Sequence, residues 1–109
     1  MDETLLRTLL FDYYGELLTD KQRECYDLHY NSDLSLQEIA EHYGATRQAV
    51  WDLIRRGERS LREFEARTGL VARALRRREK LSELRDLVST LPESPARRRM
   101  LALLDELAD

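Results

Sequence analysis

The sequence predicts an all-α protein organised around a helix-turn-helix. Three observations predict it. Residues 35–56, SLQEIAEHYGATRQAVWDLIRR, place a small residue, a glycine and further apolar residues in the register that two crossing helices need. Leucines recur at helical spacing along the whole chain. Glycine and proline total only six of 109 residues, too few for the many turns of an all-β fold. Apolar residues make up 42% of the chain, enough for a modest helical core.

The first helix is expected from about Thr4 to Leu18, with Leu6, Leu9, Leu10, Tyr13, Tyr14 and Leu17 on a broad apolar face. Such a face suits a core helix or a dimer contact. Thr19 opens the second helix, and Gln22 three residues on completes a capping box. That helix runs to about Tyr30, with Cys25, Leu28 and Tyr26 or Tyr30 inward. Asn31-Ser32-Asp33 is a turn. Ser35 and Glu38 form a second capping box, and the third helix ends at Gly44, where the chain needs positive φ.

Thr46 caps the fourth helix, which is expected to reach about Arg67. Val50 and Leu53 point back to close the core against Ile39 and Ala40. Val50, Leu53, Ile54, Gly57, Leu61 and Phe64 form one stripe. Gly57 marks either a close helix approach or a bend. After Thr68-Gly69 a fifth helix covers about Leu70 to Leu91. Its Leu81, Leu84, Val88 and Leu91 make a short coiled-coil-like seam, suited to packing on the fourth helix or on a second chain. The prolines of LPESP break the chain, and Ala96 to Ala108 forms a last amphipathic helix bearing Met100, Leu101, Leu104 and Leu107. The organisation is a helix-turn-helix domain over 1–67, an extension over 68–91 and a short terminal helix over 92–109.

Charge is unevenly spread. Residues 1–44 carry three basic and ten acidic side chains, a balance of −7, whereas residues 45–109 carry fifteen and eleven, a balance of +4. A polyanion is repelled by the first segment and attracted to the second. The candidate nucleic-acid contacts follow. Arg47 and Gln48 lead the fourth helix, and Arg and Gln are the side chains that pair with guanine and adenine edges. Arg55, Arg56 and Arg59 are placed for phosphates. Arg73, Arg76, Arg77 and Lys80 belong to the densest basic run, and Arg73, Arg77 and Lys80 share one helical face. The alternative for each is a solvated charged surface. Asp52 opposes phosphate at that face. Trp51 stands outward and is expected to be covered by a partner or dimer contact, with the fifth helix first in line, or to stack on an unpaired base.

Cys25 is the single cysteine, which excludes an internal disulfide and fits a reducing cytoplasm. Cys25 and His29 are spaced i, i+4, but too few further ligands accompany them for a zinc site. No cofactor motif, nucleophile–base pair or phosphate loop is present, so an enzyme is not expected. The acidic start MDETLLRTLL is unlike a signal peptide, and no apolar run nears the roughly 20 residues of a membrane span. A cytoplasmic protein is expected.

Two segments, FDYYGELLTDKQR and SLQEIAEHYGATRQAVWDLIRR, resemble the YlxM family of small bacterial proteins. The match is strong over about half the chain, residues 9–65, and weaker over the fifth helix. The resemblance implies a fold like region four of bacterial sigma factors, followed by a long C-terminal helix. It also implies a role in the signal recognition particle pathway, through that particle's RNA or protein components. Trp51 stands where relatives are expected to carry Tyr, and the tail after Pro92 lies outside the recognised match. Two other readings compete: a dimeric DNA-binding regulator reading half-sites about 34 Å apart through Arg47 and Gln48, and a protein-interaction module that no longer touches nucleic acid.

Overall fold

The computed structural model describes residues 2–108, and the described residues are helical with no strand. The helices are α1 (Glu3–Tyr14), α2 (Asp20–Tyr30), α3 (Leu36–Tyr43), α4 (Arg47–Thr68), α5 (Leu70–Ser89) and α6 (Pro95–Leu107). They divide into two compact units, the first ending at Val71 and the second beginning at Ala72.

The first unit is built on α4, against which α1, α2 and α3 all pack. Its core comprises Leu9, Leu10, Tyr14, Leu18, Cys25, Tyr26, Ile39, Ala40, Val50, Ile54, Leu61 and Val71. Tyr26 anchors an aromatic layer. Phe11 stacks on it at 5.3 Å between centroids, and Tyr30 tilts against it at 4.8 Å. The Arg7 guanidinium sits 4.6 Å over the Tyr30 ring and donates to Glu58 on α4 at 3.3 Å. Arg62 donates to Glu3, so ion pairs tie α1 to α4.

Capping chemistry sets the boundaries. Both expected capping boxes are formed: Thr19 with Gln22, and Ser35 with Glu38. Thr46 Oγ1 accepts from the Ala49 N–H at 3.0 Å. Gly44 has φ 64°, and the Ala45 N–H reaches back to the Ala40 carbonyl at 2.9 Å, a Schellman ending to α3. The Asn31–Asp33 turn is present, with Asp33 at φ 58°. The start of α5 is capped from the preceding helix. Glu65 Oε1 accepts from the Val71 N–H at 3.0 Å and from the Tyr14 hydroxyl at 2.6 Å.

Four expectations need correction. The first helix ends at Tyr14, and Gly15–Leu17 tightens into a 3-10 turn. The turn rotates the chain, so Leu18 is buried and Leu17 is 64% exposed. On α4 the residue that closes the core beside Val50 is Ile54, while Leu53 is only half-buried. Pro95 lies inside α6 as its first residue, where the missing N–H has no helical partner to lose. The fifth helix stops at Ser89, and its supposed seam is split: Val88 is buried, Leu81 half-buried, and Leu84 and Leu91 are exposed. Gly57 marks a close approach and not a bend, since α4 runs through it. A Cβ there would lie 3.6 Å from Leu18 Cδ1 and 3.7 Å from Gln22 Cβ.

In the second unit, α5 and α6 fold back as a hairpin. Val88 and Leu104 are buried, and Arg85 pairs with Asp105 across the two helices. Ser94 accepts from the Arg97 N–H at 3.0 Å to start α6.

Candidate nucleic-acid interface

The N-terminal end of α4 is held by the α3–α4 turn. Ile39 and Ala40 on α3 pack under Val50 and Ile54, which fixes how α4 crosses α3. The cap by Thr46 then leaves the first turn of α4 at the surface, with its positive dipole end outward. Arg47 and Gln48 are exposed there. Together with Thr46, Trp51, His29 and Leu36 they line one shallow depression.

Trp51, read from helical spacing as an outward indole that a partner, a dimer contact or the fifth helix covers, is met within the first unit by α2. It is half-buried, and the edge of the His29 ring from α2 meets it at 6.3 Å between centroids. His29 is itself held in place. Its Nδ1 lies 2.9 Å from the Leu34 carbonyl. A carbonyl oxygen only accepts, so Nδ1 carries the proton. His29 and Leu36 are absent from the sequence-based candidates. The crossing of α2 over α4 gives His29 its place.

The other α4 arginines stand among carboxylates. Arg56 pairs with Asp52 at 3.1 Å, one turn away, so each offsets the other. Arg55 and Arg59 border a second depression with Arg7, Arg62, Glu3, Glu58 and Glu63. Four cations and three anions share that surface, so the local field is nearly balanced. Of the α4 candidates, Arg47 and Gln48 are the pair set apart from this balance.

Arg73, Arg76, Arg77 and Lys80 are exposed on α5, in the second unit. At 100° per residue they span about a quarter of the helix circumference. Arg76, Arg77 and Lys80 enter no ion pair among the described residues. Arg97 and Arg98 are tied to Glu93 at 2.9 and 2.8 Å. The described residues hold no group of three or more His, Cys, Asp or Glu suited to a metal ion. No described helix is long and apolar enough to cross a membrane.

A capped helix-turn-helix with an exposed Arg–Gln pair leading its second helix defines the class: a small all-α helix-turn-helix protein. The chain belongs to the UPF0122 family, described as "Putative helix-turn-helix protein, YlxM / p13 like", whose model matches residues 1–98. It is similar to the UPF0122 protein of Thermoanaerobacter sp. (strain X514), 40% identical over 107 residues, which are 98% of this chain and 92% of that relative. The UPF0122 protein of Halalkalibacterium halodurans is 42% identical over 107 residues, 98% of each chain. That of Symbiobacterium thermophilum is 48% identical over 98 residues, covering 90% of this chain and 92% of the relative. The likeness therefore runs well past the half of the chain recognised from motifs, into the segment after Pro92.

Proposed function

We propose that this chain is a non-catalytic nucleic-acid-binding accessory factor that contacts a structured RNA, that of the signal recognition particle. The observation that carries the RNA reading is the depression at the start of α4. Arg47 and Gln48 supply hydrogen-bond donors there, and the half-open face of Trp51 offers a stacking surface. Unpaired bases in RNA loops are recognised by such a combination of an aromatic face and polar donors. The basic face of α5 adds phosphate pairing whose strength depends on salt. The particle itself enters through the resemblance to the YlxM family.

A gel shift with the particle's RNA at about 0.15 M salt tests this. The wild-type chain is expected to shift the RNA. Replacing Arg73, Arg77 and Lys80 together by Ala is expected to weaken binding and to lower the salt slope by about 0.7 for each phosphate no longer neutralised. Absence of a wild-type shift, or a triple variant that binds as well as wild type, sinks the reading. The exposed Arg47–Gln48 pair also favours a second reading, a duplex-DNA regulator. Selection from a random duplex library separates the two, because only the DNA reading predicts an enriched motif.

A further inference from the structure

His29 gives the depression at the start of α4 a hydrogen-bond acceptor that is held in place. Its Nδ1 carries a proton and is bonded to the Leu34 carbonyl, so Nε2 of the neutral ring accepts. Nε2 has no hydrogen-bond partner among the described residues. The buried polar side-chain atoms without a partner there are the Tyr26 hydroxyl and Arg97 Nε, so His29 Nε2 is open to solvent. Arg47 and Gln48 likewise make no side-chain hydrogen bond or ion pair among the described residues.

These groups surround one aromatic surface. On α4, Arg47 and Gln48 lie one turn before Trp51, about 40° and about 60° to either side of it. The imidazole comes from α2 and stands at 78° to the indole. A base laid flat on the indole therefore turns its edge, where its hydrogen-bonding groups lie, toward the imidazole.

Guanine is the base whose edges suit this set. Its O6 and N7 accept both prongs of an arginine. Its N1–H and 2-amino group, on the adjoining edge, are donors that an acceptor such as Nε2 requires. Adenine presents a donor beside N7 and an acceptor at N1, the reverse of what Arg47 and Nε2 need. Gln48 carries both a donor and an acceptor, suits either purine and does not decide between them. The pyrimidines cover less of the indole. We propose, resting on the RNA reading above, that the depression receives one unpaired guanine stacked on Trp51, and that His29 selects it by accepting from its Watson–Crick edge through Nε2.

Four hairpin RNAs, identical except for one unpaired loop nucleotide, G, A, C or U, test this on the full chain. Binding is read by gel shift and by the fluorescence of Trp51, the single tryptophan. The wild type is expected to bind the G hairpin roughly tenfold more tightly than the other three, with Trp51 quenched. His29→Asn keeps an amide N–H for the Leu34 carbonyl and removes Nε2. It is expected to bind the G and A hairpins alike and to keep its affinity for the C and U hairpins. Arg47→Lys, at an exposed side chain, loses the two-pronged pairing and is expected to reduce the preference several-fold. A wild type that binds all four hairpins alike overturns guanine selection and leaves the RNA reading standing. A wild type that shifts none of them overturns both. A guanine preference that survives either substitution also overturns the selection. So does a His29→Asn chain that weakens on all four hairpins in equal proportion, because His29 then only holds Trp51 in place.

Discussion

Two glycines, one ending α3 and one inside α4, show how one residue type does opposite work. Gly44 has φ 64°, and nothing lies within 4 Å of where its Cβ would be. Space is therefore free, and the whole cost of a side chain is the left-handed backbone. Gly44→Ala is expected to destabilise by about 1 kcal/mol. Gly57 is an ordinary helical residue whose added Cβ would meet Leu18 and Gln22 at 3.6 and 3.7 Å, van der Waals contact without clash. Gly57→Ala is expected to stabilise by about 0.5–1 kcal/mol, because helix propensity rises and the unfolded chain loses freedom. Thermal melts of the two variants should move in opposite directions. A fall in melting temperature for Gly57→Ala would show that α2 and α4 leave no room for the methyl group.

At the scale of elements, α3 is clasped to α2 by one hydrogen bond with a pH signature. The Tyr43 hydroxyl donates to Glu24 Oε2 at 2.8 Å, and Lys21 lies over the Tyr43 ring. The bond to the Glu24 carboxylate, followed by burial, pushes the Tyr43 pKa up to about 12 from an ordinary 10.0. The folded state thus favours the protonated phenol. Its contribution is present in full below pH 10 and is lost as pH rises from there toward 12. Burial also raises Tyr14, Tyr26 and Tyr30, so the alkaline limb of the wild-type stability curve has several contributors. Tyr43→Phe isolates one of them. It is expected to lower stability at neutral pH and to make the loss above pH 10 shallower. Denaturant titrations of both chains across that range check this, and parallel curves would remove the clasp from the account.

Across the whole molecule, core and charge are divided between the two units. Most of the buried apolar residues lie at or before Val71. Through Val71 the chain has nine basic and fourteen acidic side chains, a balance of −5, while from Ala72 onward nine and seven give +2. The unit bearing the helix-turn-helix therefore repels a polyanion overall, and the hairpin attracts one. A chain cut after Leu75 keeps Val71 and its bond to Glu65. It is expected to retain a cooperative melt and lose RNA binding at about 0.15 M salt. Circular dichroism and the gel shift read the two halves of this expectation. Full RNA affinity in the shortened chain would place the binding surface entirely within the first unit.

Much of this architecture could be read from residues alone, because its determinants are local. Capping boxes at Thr19–Gln22 and Ser35–Glu38, the cap at Thr46 and the left-handed Gly44 each depend on neighbours within a few residues. The family likeness was legible for the same reason, through two short motifs. Three things were decided only by tertiary packing. The 3-10 turn after Tyr14 changed which leucine goes inward, through a rotation that helical periodicity does not contain. The environment of Trp51 was set by His29, far away in sequence and brought near by the crossing of α2 over α4. The α5 seam came apart because a two-helix hairpin can bury only the stripe where its helices meet. Periodicity marks which residues are apolar, but only the neighbours that arrive on folding determine which of them are covered.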